Sequence, residues 1–357
     1  MPRARPTRIP CDCFDCRPLS ESAQRQDDVP AWKASALQEP PPKCLVFMLP
    51  EDCSPSQRAR PFAHLDALVA EGCCGLLAQR VVYEEDNESI LHRQQVLAEF
   101  LGLLQEPSDK ATNAASKAQH LLTERYKGLA AGVASRCDAA VSVAQQAGVA
   151  HVSSLFSKDA AQSQNAFPEA RNATDQILAA LGLKRCLAAR AAALRANASA
   201  LFEDNDDEDD LDMLIVDARS ALADSRAGEE SSAFAWVDAV LGHLCSDEDI
   251  KDSIFMVLLM AVEKPLRSPQ RVGGAELPPG MQRPKQSYAF LGVTEVHVLC
   301  DACVVMAQRL KGIARRDSAR VFSYEEVSKW GAAGQILLER LLPELAFKLG
   351  RASKYGA

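Results

Sequence analysis

After Phe62, apolar residues recur at spacings of three and four, as they do along one face of an α-helix. Residues 109–200 include 27 alanines in 92 positions, and alanine has the highest intrinsic helix propensity. Few segments alternate apolar and polar residues as a half-buried strand does. The pattern therefore predicts an all-α fold, either an irregular helical bundle or a helical-repeat-like array.

The predicted helices outside the alanine-rich block cover residues 62–82, 88–105, 211–223, 233–245, 247–263, 287–315 and 324–349. Within the block, two sets of residues spaced 4, 3, 4 along the chain predict paired helices, with breaks at Gly148 and Pro168. The first set is Leu122, Tyr126, Leu129 and Val133, and the second is Leu187, Ala191, Leu194, Ala198 and Leu201. The best strand candidate is Cys44 to Leu49, expected as a docked extended segment or an edge strand because Pro50 follows.

The composition changes along the chain and predicts four regions. Eleven of the 19 prolines lie in residues 1–61, which are expected to form a largely disordered Cys/Pro-rich arm. Residues 62–202 are expected to form an alanine-rich helical domain, and residues 203–212 an acidic linker. Residues 213–357 would be a second helical region, interrupted at 264–285 by a basic loop rich in proline and glycine.

The net charge of −8 comes from the acidic linker, since residues 203–212 carry eight acids and no base. A nearly neutral remainder disfavours nucleic-acid binding through bulk electrostatics. No segment approaches the ~18 apolar residues needed to cross a bilayer, so no membrane insertion is expected. Twelve cysteines without a secretory signal favour reduced thiols in the cytoplasm or nucleus, with organelle import a weaker alternative.

Two clusters have the composition of metal ligands. Cys11, Cys13 and Cys16 could hold zinc with a fourth ligand from Cys44, Cys53 or His64, but the arm has no second C-x-x-C pair, and a reduced thiol cluster is the alternative interpretation.

The acidic linker contains a D-D-x-x-D string, in which Asp206, Asp207 and Asp210 could bind a divalent metal such as magnesium. So acidic a tract would contain this string by chance, and a solvated linker that attracts a basic partner is favoured.

Other motifs do not assemble into a catalytic set. Cys300 and Cys303 form a C-x-x-C pair that the apolar surroundings assign to core packing, and His297 is interpreted the same way. The sequence contains no nucleophile elbow, no H-E-x-x-H motif and no phosphate-binding glycine loop.

The favoured function is a non-enzymatic helical adaptor, scaffold or complex subunit that binds protein partners through helix faces and charged segments, and self-association is compatible with it. Enzymatic activity is left open. The alternatives are an all-α enzyme or small-ligand binder using Asp206–Asp210 for a metal, and a zinc-stabilised binding module at Cys11, Cys13 and Cys16.

Overall fold

The computed structural model describes residues 42–50, 62–80, 94–103, 122, 125–156, 167–184, 210–219, 230–262, 289–290, 294–295, 298–312, 315–331 and 335–353. All of them belong to one compact unit, Pro40–Ala357. No helix in these ranges is both long enough and apolar enough to span a membrane.

Eight of the strands in the described ranges form one sheet, in the order β10-β2-β9-β6-β1-β5-β3-β4. These strands are β1 (Lys43–Leu49), β2 (Cys73–Arg80), β3 (Ala131–Ala134), β4 (Ala150–His151), β5 (Met213–Asp217), β6 (Ile254–Val262), β9 (Val298–Arg309) and β10 (Gln335–Leu337). Seven of them run parallel, and β9 is antiparallel to both of its neighbours. A separate pair consists of β7 (Ala289–Phe290) and β8 (Thr294–Glu295).

Helices cover both faces of the sheet. They are α1 (Ala63–Glu71), α2 (Gln95–Phe100), α3 (Asp138–Gln146), α4 (Ala170–Ala180), α5 (Glu230–Cys245), α6 (Glu248–Ser253), α7 (Tyr324–Trp330) and α8 (Leu341–Lys348), with 3₁₀ turns at Ser154–Phe156 and Leu338–Arg340. One hydrophobic core lies under α1, α4 and α5, and a second lies under α2, α3 and α8. The protein is therefore a three-layer α/β structure.

The predicted all-α class, whether bundle or repeat-like array, is wrong. Strands β1, β5 and β6 lie in the middle of the sheet, and nearly all of their side chains are buried. A strand covered by helices on both faces must be apolar at every position, so it lacks the alternation that identifies a half-buried strand. Short continuous apolar runs of this kind cannot be distinguished from buried helix by periodicity alone.

Several predicted helices are interrupted or replaced by strands. The segment 62–82 is α1 followed by β2, because the chain turns at Gly72, where a Cβ would overlap the carbonyl oxygen of Gln308. The segment 211–223 contains β5, 287–315 contains β9, and 324–349 is α7, β10 and α8 in succession.

The predicted helix 247–263 starts as expected, since the Asp247 carboxylate caps α6 by accepting hydrogen bonds from the backbone of Asp249 and Ile250. It gives way to β6 at Ile254.

Other helix predictions are confirmed in part. The segment 233–245 is α5, the segment 88–105 contains the shorter α2, and Ser323 caps α7 by accepting from the Glu326 backbone N–H at 3.2 Å. The breaks at Gly148 and Pro168 lie just after α3 and just before α4. The first set of residues with helical spacing, Leu122 to Val133, ends in strand β3, which contains Val133. The second set, Leu187 to Leu201, lies outside the described residues.

The predicted strand at Cys44 to Leu49 is confirmed, but its predicted edge position is wrong. Strand β1 pairs in parallel with β5 on one side and with β6 on the other. Pro50 is tolerated because it follows the last paired residue, where no ladder hydrogen bond is lost.

Asp212 connects three chain segments at the amino edge of the sheet. Its carboxylate, whose side chain is 9% exposed, accepts hydrogen bonds from Arg351 at 2.9 Å, from the Ala130 backbone at 3.1 Å and from Lys43 at 3.5 Å. Lys43 is the first residue of β1, Ala130 precedes β3 and Arg351 follows α8, so one side chain connects distant parts of the chain. Removing one partner of a largely buried ion pair leaves the other charges uncompensated.

We predict that Asp212→Asn lowers the free energy of unfolding by about 2 kcal/mol, since Lys43 and Arg351 lose their common counter-ion. Urea unfolding followed by circular dichroism measures the change. Asp175→Asn is the matched control, because Asp175 forms an ion pair with Lys184 in which both side chains are more than half exposed. Equal urea midpoints for the two variants would contradict the structural role of Asp212.

Candidate active site at the carboxyl edge of the sheet

The register of β3 and β5 places two polar side chains together where these strands end. Ala134 pairs with Val216, so the next residues, Ser135 and Asp217, are adjacent. Their side chains point to the face covered by α2 and α3, because Val133 and Ile215, two residues earlier, belong to the core on that face. The Ser135 hydroxyl donates to Asp217 Oδ2 at 3.3 Å.

Arg219 lies two residues beyond the end of β5 and turns back onto Asp217. Its Nε donates to Asp217 Oδ1 at 2.8 Å, and its backbone N–H donates to the same oxygen at 3.2 Å. Asp217 is only 1% exposed, and a buried carboxylate needs such charge compensation. The ion pair fixes the guanidinium group, which is itself partly exposed.

Gln94 and Cys137 complete a closed ring of hydrogen bonds, here called the edge ring and consisting of Gln94, Ser135, Cys137, Asp217 and Arg219. Arg219 Nη2 donates to Gln94 Oε1 at 3.1 Å, and Gln94 Nε2 donates to Cys137 Sγ at 3.5 Å. The Cys137 backbone N–H donates to Ser135 Oγ at 3.1 Å. Gln94 precedes α2 and Cys137 precedes α3, so strand ends and helix starts meet here.

The members of the edge ring differ in what they can still do. Ser135 is buried, and its hydroxyl already donates one hydrogen bond and accepts another, so it positions its neighbours. Arg219 uses two of its five guanidinium N–H groups, and the other three have no partner among the described residues. The Cys137 thiol is partly exposed. The ring thus presents hydrogen-bond donors for an anion beside a nucleophilic sulfur.

Three other cysteines in the described ranges, Cys44, Cys74 and Cys303, are buried, whereas Cys73 and Cys245 are partly exposed like Cys137. Burial raises the pKa of Cys74 to about 12 and the pKa of Cys303 to about 11, and it also raises the pKa of Cys44. Thiols in this state are protonated at neutral pH and serve as small apolar residues. The core-packing interpretation of Cys303 agrees with its 1% exposure, although it lies on β9 and not on a helix.

The residues predicted from the sequence as metal ligands are not brought together in the described structure. Cys11, Cys13, Cys16, Asp206 and Asp207 lie outside the described residues. Asp210 is described, and its carboxylate lies against Gly182. No group of three or more potential metal ligands occurs among the residues that the structure describes. The zinc and divalent-metal sites therefore stay predictions.

Of the three candidates for the fourth zinc ligand, Cys44 and His64 are among the described residues. Cys44 is completely buried within β1, and His64 is exposed on α1. Cys53 and His297 lie outside the described residues.

None of the five edge-ring residues was singled out from the sequence. The available signal was a polar residue directly after a short apolar run, at Ser135 and at Asp217. That signal has meaning only when the runs are recognised as parallel strands, whose carboxyl ends share one edge of the sheet.

No family model matches the sequence, and no curated protein sequence shows significant similarity to it. Solved structures with a similar layout include the PH0037 protein from Pyrococcus horikoshii, with 12% identity and a TM-score of 0.43 over 89% of this chain and 100% of that one.

A lipoteichoic acid synthase, LtaP from Listeria monocytogenes, shares 9% identity with a TM-score of 0.43 over 88% of this chain and 73% of that one. A cofactor-independent phosphoglycerate mutase from Thermoplasma acidophilum shares 9% identity with a TM-score of 0.37 over 85% and 100%. Such distant likenesses transfer no residue roles to this chain.

The predicted non-enzymatic helical adaptor is wrong. It depended on helix faces in segments that are in fact strands inside a sheet. The all-α form of the enzyme alternative fails with the fold class for the same reason.

We predict that iodoacetamide alkylates Cys137 in the native protein much faster than Cys44 or Cys303, because only Cys137 of these three is partly exposed. Peptide mapping by mass spectrometry after timed exposure at mildly alkaline pH measures each site separately. Alkylation of the unfolded protein is the control and should label all three. Protection of Cys137 equal to that of Cys44 would contradict its accessibility.

Proposed function

We propose that this protein is a hydrolase or group transferase acting on a small phosphate ester, with the edge ring as its active site. The observation that carries the proposal is the closed ring itself. It fixes a guanidinium group and the sulfur of a partly exposed cysteine at opposite ends of one amide, that of Gln94, and three guanidinium N–H groups have no partner among the described residues.

Arg219 has the chemistry required to bind the phosphoryl group. A guanidinium group matches two oxygens of a phosphate with a planar pair of donors, and charge-assisted hydrogen bonds of this kind are strong. The bond from Nε to buried Asp217 orients the group, so little side-chain entropy is lost on binding. Helix α3 begins without a side-chain cap, and uncapped helix starts also favour anions.

Cys137 is the nucleophile in this proposal. Its thiolate sulfur forms a bond to phosphorus while the bond from phosphorus to the ester oxygen breaks, and the leaving alcohol takes a proton from solvent. Water, in a hydrolase, or an acceptor hydroxyl, in a transferase, then attacks phosphorus and releases the thiolate. The hydrogen bond from Gln94 Nε2 holds the sulfur in place beside Arg219.

The remaining residues act by positioning. Asp217 holds both Ser135 and Arg219, and Ser135 receives the backbone N–H of Cys137, which fixes the start of α3 relative to β5. Catalysis of phosphoryl transfer depends mainly on such positioning and on electrostatic stabilisation.

Protection by inorganic phosphate tests anion binding without a known substrate. We predict that phosphate slows alkylation of Cys137 by iodoacetamide in the wild type, compared with chloride at equal ionic strength, because the bound anion covers the thiol. Arg219→Met should abolish this protection. Arg136→Met is the matched control, since Arg136 stacks on Phe156 in the core on the other face of the sheet and should leave protection intact.

Identical alkylation rates in phosphate and chloride would contradict anion binding at the edge ring. So would protection that persists in Arg219→Met.

Turnover of p-nitrophenyl phosphate tests the chemistry. We predict that Cys137→Ser lowers kcat by at least about 1,000-fold, since the nucleophile is lost, and that Arg219→Met lowers kcat/KM by about 100-fold. With the neutral ester p-nitrophenyl acetate, Arg219→Met should change kcat/KM little. Full activity of Cys137→Ser on the phosphate ester would refute the role of the thiol.

A further inference from the structure

A cavity of about 150 Å³ lies at the opposite, amino edge of the sheet, between α1, the end of α5, α6 and the first residues of β6. The register of β1 with β6 separates this edge from the edge ring by the length of β1, which is roughly 20 Å for seven residues. The cavity is therefore distinct from the proposed active site. A cavity of this size holds a molecule about as large as benzene.

One wall of the cavity is apolar. It is formed by Ala67 and Leu68 on α1 and by Met256 on β6. Met256 and Leu68 are buried core residues, so their positions are fixed by packing. Such a wall favours the hydrocarbon part of a ligand.

The other wall carries a compact ionic network. Glu71 accepts from Lys251 at 3.1 Å and from Arg309 Nε at 3.1 Å. Arg309 also donates to the Lys251 carbonyl at 2.6 Å and to Asp252 at 3.0 Å, and Asp252 pairs in addition with Lys311 at 3.2 Å. Of these residues, Lys251, Arg309 and Glu71 line the cavity, so the network carries one excess positive charge at the cavity wall.

Lys251 and Arg309 are the most deeply buried members of this network. The Lys251 and Arg309 side chains are 17% and 11% exposed, whereas Glu71 is 40% exposed. Burial alone would raise the pKa of Glu71, but hydrogen bonds and charge from Lys251 and Arg309 outweigh it and lower the pKa below its ordinary value. Glu71 is thus ionised at neutral pH, and it is the common counter-ion of both cations.

Donor groups on the cavity wall outnumber the acceptors that they use. Arg309 engages three of its five guanidinium N–H groups, and the Lys251 ammonium has Glu71 as its side-chain partner in the described structure. An added carboxylate would accept from these remaining donors and offset the excess charge, whereas an added cation would compete with Lys251 and Arg309 for Glu71.

We propose that this cavity binds a small monocarboxylate with an apolar body about the size of a benzene ring. The carboxylate contacts Lys251 and Arg309, and the apolar body packs against Ala67 and Leu68. The inference is independent of the reaction proposed for the edge ring.

Benzoate is the probe, and isothermal titration calorimetry measures its binding. The wild type should bind one benzoate per chain, and benzyl alcohol, which has the same ring without the charge, should bind at least about tenfold more weakly. Lys251→Met, which keeps the stem of the side chain and removes its charge, should weaken benzoate binding by about tenfold or more.

Two matched variants locate the site. Lys311→Met removes a cation of the same network that does not line the cavity, and Arg219→Met removes the cation of the edge ring. Both should bind benzoate within about twofold of the wild type. Circular dichroism establishes that each variant is folded.

Three results would overturn the proposal. They are the absence of saturable benzoate binding by the wild type, equal affinity for benzyl alcohol, and a loss of binding in Lys311→Met or Arg219→Met as large as that in Lys251→Met. Failure of benzoate binding would leave phosphate protection of Cys137 unaffected, so the two proposals can fail separately.

Discussion

The structure depends on the burial of strand β1 on both faces. Cys44, Val46 and Met48 belong to the core beneath α2, α3 and α8, whereas Leu45, Phe47 and Leu49 belong to the core beneath α1, α4 and α5. Because successive side chains of a strand point in opposite directions, one short segment anchors both cores. Its parallel pairing with β5 and β6 then fixes the direction of the neighbouring strands and gathers their carboxyl ends at one edge.

The position of the candidate site follows from that arrangement. Ser135 and Asp217 come from chain segments 82 residues apart, and only the register of β3 with β5 makes them neighbours. They share a face because each is one step beyond the paired residues Ala134 and Val216. Helices α2 and α3 start on that face, which brings Gln94 and Cys137 within hydrogen-bonding distance of the two strand ends.

Part of the fold could be predicted from the sequence. Strand β1 was recognisable because a run of apolar and β-branched residues ends at a proline, and α5 because its apolar spacing continues over four turns. The starts of α6 and α7 agree with the predicted starts at 247 and 324, because capping by Asp247 and Ser323 is a local interaction between a side chain and the next turn.

The rest required information that is not local. Strand β6 has nine apolar residues because it is covered on both faces, and this removes the alternation that would separate it from a buried helix. Strand β9 is long and antiparallel, and its pairing with β2 and β6 bridges large sequence separations. The edge ring was equally hidden, since none of its five residues forms a motif with its sequence neighbours. Its chemistry arises only when strand order and register are known.

Strand β5 has one aspartate just before it and another as its last residue, and the two take part in different ion pairs. Asp212, just before the strand, is neutralised by Lys43 and Arg351, which come from the first and last described segments of the chain. Asp217, its last residue, is neutralised by Arg219 and orients Ser135. Both carboxylates are largely buried and both are paired with cations, but the partners of Asp212 connect distant chain segments, whereas Arg219 joins Asp217 to Gln94 within the edge ring. Because a parallel strand has one end at the amino edge and the other at the edge where α2 and α3 begin, the same residue type connects chain segments at one end of β5 and belongs to the edge ring at the other.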